Sequence, residues 1–199
     1  SVLSAAIGLQ NQTISARLSA HHPLRSSLLK GMARVQYFGE TASAMQKTVT
    51  AEAVGQDFEI DGASDDYAYS SNFEDLAMLF EEVMMKFHYD VDRELAFTDA
   101  PTDDGIFCSS YIIRWGVRNR VGSPLVASRA TFVLQALLDL NDVDKYSLSV
   151  PGATLMPNFE SWCTIQNVSA AKPSQKNSTQ SETAEQAIMR PDVRIRDYR

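Results

Sequence analysis

The chain has 199 residues, with 18 Lys and Arg against 25 Asp and Glu, and a formal net charge of -7. This length suits one domain of ordinary size with a tail. The acidic balance argues against nucleic acid or an anionic membrane surface as the main partner. No apolar run approaches the roughly 18 residues of a membrane-spanning helix, so we expect no membrane span.

Hydrophobic spacing predicts a succession of helices in the first half of the chain. Helical spacing is seen over residues 2–20 and 24–38, and more weakly over 40–55. The acidic, turn-rich stretch 55–71 is predicted to be a long loop, and loops of this length are often functional. The strongest pattern covers 72–89, where apolar residues recur at spacings of three and four.

Two further helices are predicted in the second half. One covers 109–121, and the other covers 124–140 with Ser123 as its N-cap and Pro124 at its first position. Evidence for strands is thin. The sequence therefore predicts a mainly α, multi-helix globular fold.

The composition changes near residue 169. Residues 1–168 are predicted to form the helical domain, whereas 169–199 contain almost no large apolar side chains at first and regain some only near the end. A segment that buries so little surface cannot offset its ordering entropy. We therefore expect a polar C-terminal tail that is extended or mobile.

Cys108 and Cys163 are the only cysteines, and their spacing excludes a CxxC motif. They could form one disulfide, which would stabilise the fold by about 4 kcal/mol in the chain-entropy model. The alternative is two buried free thiols of a cytosolic protein, and we favour the disulfide. A disulfide would favour an exported protein, periplasmic or extracellular.

Two tyrosines precede the strongest predicted helix, and a glutamate lies at its start. Six residues separate Tyr67 from Glu74, and small, polar and capping residues lie between them. Tyr69 is a second tyrosine in the same stretch. Ser71 and Glu74 also match the spacing of a capping box, in which the glutamate reaches back to the amide of the cap residue.

The run from Asp66 to Glu81 resembles the third-ligand segment of gluzincin zinc peptidases, particularly the lethal-factor-like group. In that family a tyrosine stands seven residues before a glutamate, and an alanine and an aromatic residue follow. The glutamate is the third zinc ligand, and the tyrosine donates a hydrogen bond to the developing oxyanion. The resemblance implies the C-terminal subdomain of such a peptidase, and it supports the disulfide and the exported location.

The resemblance implies that Glu74 is a zinc ligand and that Tyr67 is the oxyanion donor, with Tyr69 as the alternative. A catalytic zinc needs three protein ligands and an open water position. The family takes two histidines and its general base from an HExxH helix, which this chain lacks. The chain would thus be inactive alone, with HExxH supplied by an N-terminal half of the same protein or by a companion chain. The substrate would be a peptide or protein.

A second interpretation belongs to another class of protein. The chain could be a non-catalytic helical binding or assembly module whose tail docks on a partner. In that case Glu74 serves only the start of its helix, and no metal is expected.

Overall fold

The computed structural model describes residues 13–101, 107–137 and 150–165. Its described helices are α1 (Ile14–His21), α2 (Ser27–Phe38), α3 (Ala51–Glu59), α4 (Asn72–Tyr89) and α5 (Pro124–Leu137). Its strands are β1 (Glu94–Thr98), β2 (Ile113–Arg118) and β3 (Thr154–Leu155), and they form one antiparallel sheet in the order β1-β2-β3. Short 3-10 turns span Asp66–Tyr69, Cys108–Ser110 and Arg120–Gly122.

The prediction of a mainly α fold is wrong, because the described residues form a mixed α/β structure. The predicted helix over 109–121 is replaced by strand β2. Ile113, Trp115 and Val117 are buried on one face of this strand, at every second position. That alternation is the strand period. In the sequence this alternation is obscured by the nearly continuous run of apolar residues that begins at Tyr111.

The sheet is held together by pairs between strands that are distant in sequence. Leu95 of β1 pairs with Val117 of β2, and Glu94 pairs with Arg118. The Arg118 Nε donates to Glu94 Oε1 at 2.7 Å, so the strand ends are also joined by an ion pair. Cross-strand pairs of this kind are the main stabilising unit of a sheet.

Three predicted helices are confirmed, and hydroxyl side chains begin each of them. Ser26 accepts the Leu29 N–H of α2 at 3.0 Å, and Ser71 accepts the Glu74 N–H of α4 at 3.2 Å. Ser123 accepts the Val126 N–H of α5 at 3.4 Å, as its predicted cap position requires. Within the described ranges, no helix is both long enough and apolar enough to cross a membrane.

The helix predicted over 40–55 is placed too early in the chain. Helix α3 begins at Ala51, where Thr50 caps it by accepting the Ala53 N–H at 3.2 Å, and it ends at Glu59. Its last residues therefore occupy the start of the predicted loop 55–71. The predictions for residues 1–12, for the end of the last helix and for the tail 169–199 lie outside the described residues.

The apolar side chains form two main cores. In the first, α1, α4 and α5 pack together through Leu18, Leu79, Val83 and Val133, all fully buried. In the second, α3 packs on the sheet and α2 packs on α3, and the fully buried ring of Phe58 contacts the rings of Tyr69, Phe97 and Trp115. The turn Asp66–Tyr69 belongs to the second core and leads directly into α4 of the first.

The structure contains the disulfide between Cys108 and Cys163, whose Cα atoms lie 5.1 Å apart. It joins the turn before β2 to the segment after β3. Beside it, the Ile113 N–H donates to the Glu160 carbonyl at 2.9 Å. The bond therefore fastens the sheet.

Gly55 provides a test of how closely α3 approaches the sheet. A Cβ at this position would lie 2.2 Å from the Trp115 Cβ. We expect Gly55→Ala to lower the free energy of unfolding by about 1–3 kcal/mol, although alanine is the better helix former.

Gly31 in α2 is the matched control, because its Cβ would meet only the flexible end of Gln46. Gly31→Ala should be neutral or stabilising by up to about 1 kcal/mol in urea unfolding. Equal stability of the two variants would contradict the close packing.

The disulfide closes a sequence separation of 55 residues. We expect the Cys108→Ser, Cys163→Ser double variant to lose about 4 kcal/mol of unfolding free energy. Urea unfolding of the oxidised protein, the reduced protein and the double variant measures this difference. If all three unfold at the same urea concentration, the bond contributes nothing to stability.

Candidate functional site

The segment from Asp65 to Asp75 contains every catalytic or zinc-binding residue predicted from the sequence. Its shape is set by two local caps. Asp65 Oδ1 accepts the Tyr67 N–H at 2.7 Å and begins the 3-10 turn. Ser71 then begins α4. The segment is therefore an ordered turn and helix start rather than an open loop, which corrects the loop prediction here.

Three polar contacts anchor this segment to the rest of the protein. At its start, the buried Asp65 carboxylate is paired with Arg93. At its end, Asp75 is paired with Arg129 of α5, and both side chains are buried. The third contact, in the middle of the segment, is the hydrogen bond from the Tyr69 hydroxyl to Asp61. Buried pairs cost desolvation, but removing one partner is strongly destabilising, so these contacts fix the segment.

Tyr69 is committed to a structural hydrogen bond. Its hydroxyl donates to Asp61 Oδ2 at 3.1 Å, and only 7% of the residue is exposed. Burial and the charge of Asp61 raise the pKa of Tyr69. The geometry therefore favours Tyr67 over Tyr69 as a hydroxyl that could reach a substrate.

Tyr67 and Glu74 lie between the anchors and are both half-buried. Within the described part of the chain, the Tyr67 hydroxyl and the Glu74 carboxylate have no hydrogen-bond partner. The Tyr67 ring packs edge-to-face against Tyr37 with 4.6 Å between ring centroids. The two predicted site residues are thus held by their neighbours while their polar ends are available.

Asp61 links this segment to the start of α2. Its Oδ2 accepts the backbone N–H groups of Arg25 and Ser26, each at 2.8 Å. Burial raises the pKa of Asp61, but the hydrogen bonds that it accepts outweigh burial and leave the pKa below its ordinary value. Asp61 is therefore a charged structural centre, which the sequence did not single out.

The three histidines do not lie together with Glu74 as a metal site. His21 and His22 pack against the Phe132 ring, and His88 packs against Phe87. Among residues 13–101, 107–137 and 150–165, no group of three His, Cys, Asp or Glu side chains could hold a metal ion. A zinc ion at Glu74 would need ligands from outside these residues.

A polar cavity of about 320 Å³ adjoins the same segment. Tyr69, Ser71 and Asn72 line one side of it, and Lys30 and Arg34 of α2 line the other. The Lys30 Nζ donates to the Leu24 carbonyl at 2.7 Å, which directs this cation toward the chain before α2. The start of α4 therefore borders open, polar space.

Glu82 is a buried acid on the inner face of α4 that sequence reasoning missed. Its Oε1 accepts the Val121 N–H at 3.2 Å, and its Oε2 lies 4.0 Å from Arg93 Nη1. Burial is the main cause that raises the pKa of Glu82 to about 7, and Arg93 only partly opposes it. The helical spacing of α4 placed this position inside, but spacing alone does not reveal an acid there.

Arg114, Arg118 and Arg129 are each paired with a carboxylate. Arg114 contacts Asp99, and the partners of Arg118 and Arg129 are given above. Arg114 and Arg118 lie on strand β2, in the stretch that the sequence predicted to be a helix. Arg120 is also buried. Among the described residues its guanidinium donates to backbone carbonyls and not to a carboxylate.

No protein-family model, curated protein or solved structure matches this chain.

The raised pKa of Glu82 gives a pH dependence that can be measured. The unfolded chain releases this proton near the ordinary value of about 4.3, whereas the folded protein holds it until about pH 7. Stability should therefore fall as the pH rises through this window. Glu82→Gln keeps an oxygen for the Val121 N–H and removes this decline, which amounts to about 3.5 kcal/mol across the window.

The exposed neighbour Glu81 supplies the control for this experiment. Chemical unfolding of Glu81→Gln at several pH values should follow the wild type. If the free energy of unfolding changes with pH in the same way for the wild type and Glu82→Gln, Glu82 does not bind a proton in this pH window.

Proposed function

We propose that this chain is the C-terminal part of an exported zinc metallopeptidase. Glu74 is its third zinc ligand, and the Tyr67 hydroxyl stabilises the oxyanion. The HExxH residues come from outside the chain, on an N-terminal part or a companion chain. The single observation that carries the proposal is the anchoring of the segment from Asp65 to Asp75, which leaves these two polar groups available.

The position of Glu74 suits a ligand. It lies in the first turn of α4, where the Ser71 hydroxyl already accepts its backbone N–H. The Glu74 side chain is not needed for that bond. On either side, Asp75 and the turn before Ser71 are fixed, so the carboxylate starts from a rigid backbone. Rigid support of this kind is what a metal ligand requires.

Tyr67 lies in the turn before α4, where its hydroxyl could contact a substrate carbonyl. A bound zinc would activate a water and polarise the scissile carbonyl. The contribution of this chain would be a phenol O–H, held by the Tyr37 ring, that donates to the oxygen on which charge develops. Donors of this kind are worth about a hundredfold to a thousandfold in kcat.

The disulfide supports the exported location within this proposal. Disulfides persist in the periplasm and outside cells, and they are rare in the cytosol. The substrate class in this proposal remains a peptide or protein.

The alternative is a non-catalytic binding or assembly module. The observation that favours it is the Ser71 cap, since a glutamate in the first turn of a helix is stabilising without any metal. On this alternative, Glu74→Ala costs about 0.3–1 kcal/mol of stability, the range for an acidic side chain in the first turn of a helix, and it changes no metal content.

The decisive measurement is the zinc content of the natively purified protein with its parent or companion chain, without chelator. We expect about one zinc per complex in the wild type and in the control Glu81→Gln, as one catalytic site holds one ion. Glu74→Gln should lower zinc affinity at least tenfold, because it removes a charged ligand. Tyr67→Phe should keep the zinc and lower kcat.

Two results would overturn the proposal. One is native protein, purified without chelator, that contains no zinc and no parent or companion chain carrying HExxH. The other is full zinc occupancy and activity in Glu74→Gln.

A further inference from the structure

A second cavity lies between α2, α3 and β1, and Asp66 of the turn Asp66–Tyr69 also lines it. Its volume is about 430 Å³. Pockets of this size hold small molecules, and they are usually apolar with a few polar groups that orient the ligand. Its apolar wall includes Leu29, Met32, Ala33, Val49, Val54 and Phe97.

Part of the cleft lining is polar. The Asp66 carboxyl group lies in its lining, and the Tyr37 hydroxyl donates to Asp66 Oδ2 at 2.9 Å. The Tyr37 ring is in turn held by the Tyr67 ring. A carboxylate and a phenol oxygen are therefore fixed side by side in the lining of a largely apolar cleft.

Asp66 differs from the neighbouring acids in having no cation beside it. Asp65 is paired with Arg93, and Asp99, which also lines the cleft, is paired with Arg114. Within the described residues, Asp66 makes no ion pair, and the cleft lining contains no Lys, Arg or His. The cleft is thus a negatively charged, apolar site that is complementary to an apolar cation.

We propose that this cleft binds a small primary amine that carries an apolar chain or ring. The ammonium group donates to the Asp66 carboxylate, which the Tyr37 hydroxyl holds in place. The apolar part contacts the side chains of α2, α3 and Phe97. This site uses neither Glu74 nor zinc, so it does not depend on the peptidase proposal.

Charge decides between an amine and other ligands of the same shape. An ammonium group has three donors and offsets the charge of Asp66. A neutral alcohol fills the same apolar space and leaves the carboxylate uncompensated. A carboxylic acid adds a second negative charge, and repulsion of like charges opposes its binding.

The proposal has a pH signature. Burial, followed by the charge of Asp65, raises the pKa of Asp66 to about 6, and the hydrogen bond from Tyr37 opposes this only in part. The other charged groups near it are Arg93, which faces Asp65, and the paired Asp99 and Arg114. Amine binding needs the ionised carboxylate, so affinity should rise between about pH 5 and about pH 7.5.

The test is calorimetric titration of the full chain with 2-phenylethylamine and, separately, with 2-phenylethanol. At about pH 7.5 we expect the amine to bind at least about tenfold more tightly than the alcohol, and this preference should shrink at about pH 5. Asp66→Asn should remove the preference and its pH dependence. Asp90→Asn changes the net charge equally at an exposed site and should leave both unchanged.

The comparison of probes and of pH on the wild type needs no variant, so it stands even if Asp66→Asn fails to fold. Equal binding of amine and alcohol would overturn the proposal. An absence of amine binding at about 1 mM would overturn it as well.

Discussion

The buried guanidinium of Arg120 is the interaction on which the arrangement of this protein depends. It donates to the backbone carbonyls of Phe58, Asp61 and Ala63 at 2.6, 2.7 and 3.0 Å, and it stacks on the Phe58 ring at 4.2 Å. The last carbonyls of a helix have no partners within the helix, and they carry partial negative charge. Arg120 supplies both a partner and a positive charge. Burial lowers its pKa to about 10, so it stays protonated at neutral pH.

This contact joins the two cores. Arg120 lies in the turn between β2 and α5, and its acceptors lie at the end of α3 and just beyond it. Fixing the chain at Asp61 fixes the carboxylate that holds both Tyr69 and the start of α2. The positions of Tyr67 and Asp66 follow, because they share one short turn with Tyr69. The proposed oxyanion donor and the proposed amine site therefore have a common support.

The parts of the fold that depend on local interactions were predictable, and the parts that depend on distant ones were not. Helix α4 was predicted with its observed bounds, because the spacing of its apolar residues and its Ser71 cap both depend on residues that are close together in the sequence. Strand β2 was missed, because its pairing with β1 and the covering helices is non-local. For the site, Tyr67 and Glu74 were selected from a short pattern, but their availability depends on Arg93 and Arg129. Nothing in the sequence near Asp66 indicates that it lacks a cation.

The Arg129 contact also constrains the order in which the chain can fold. Synthesis produces α2, α3 and α4 first, and with them the acid Asp75 that becomes buried. Its cation lies 54 residues later, in α5, and Arg120 also follows β2. Until those residues are made, burying the inner face of α4 leaves an uncompensated charge. The Asp75 carboxylate therefore gains its buried ion pair only after α5 has been made and has docked on α4.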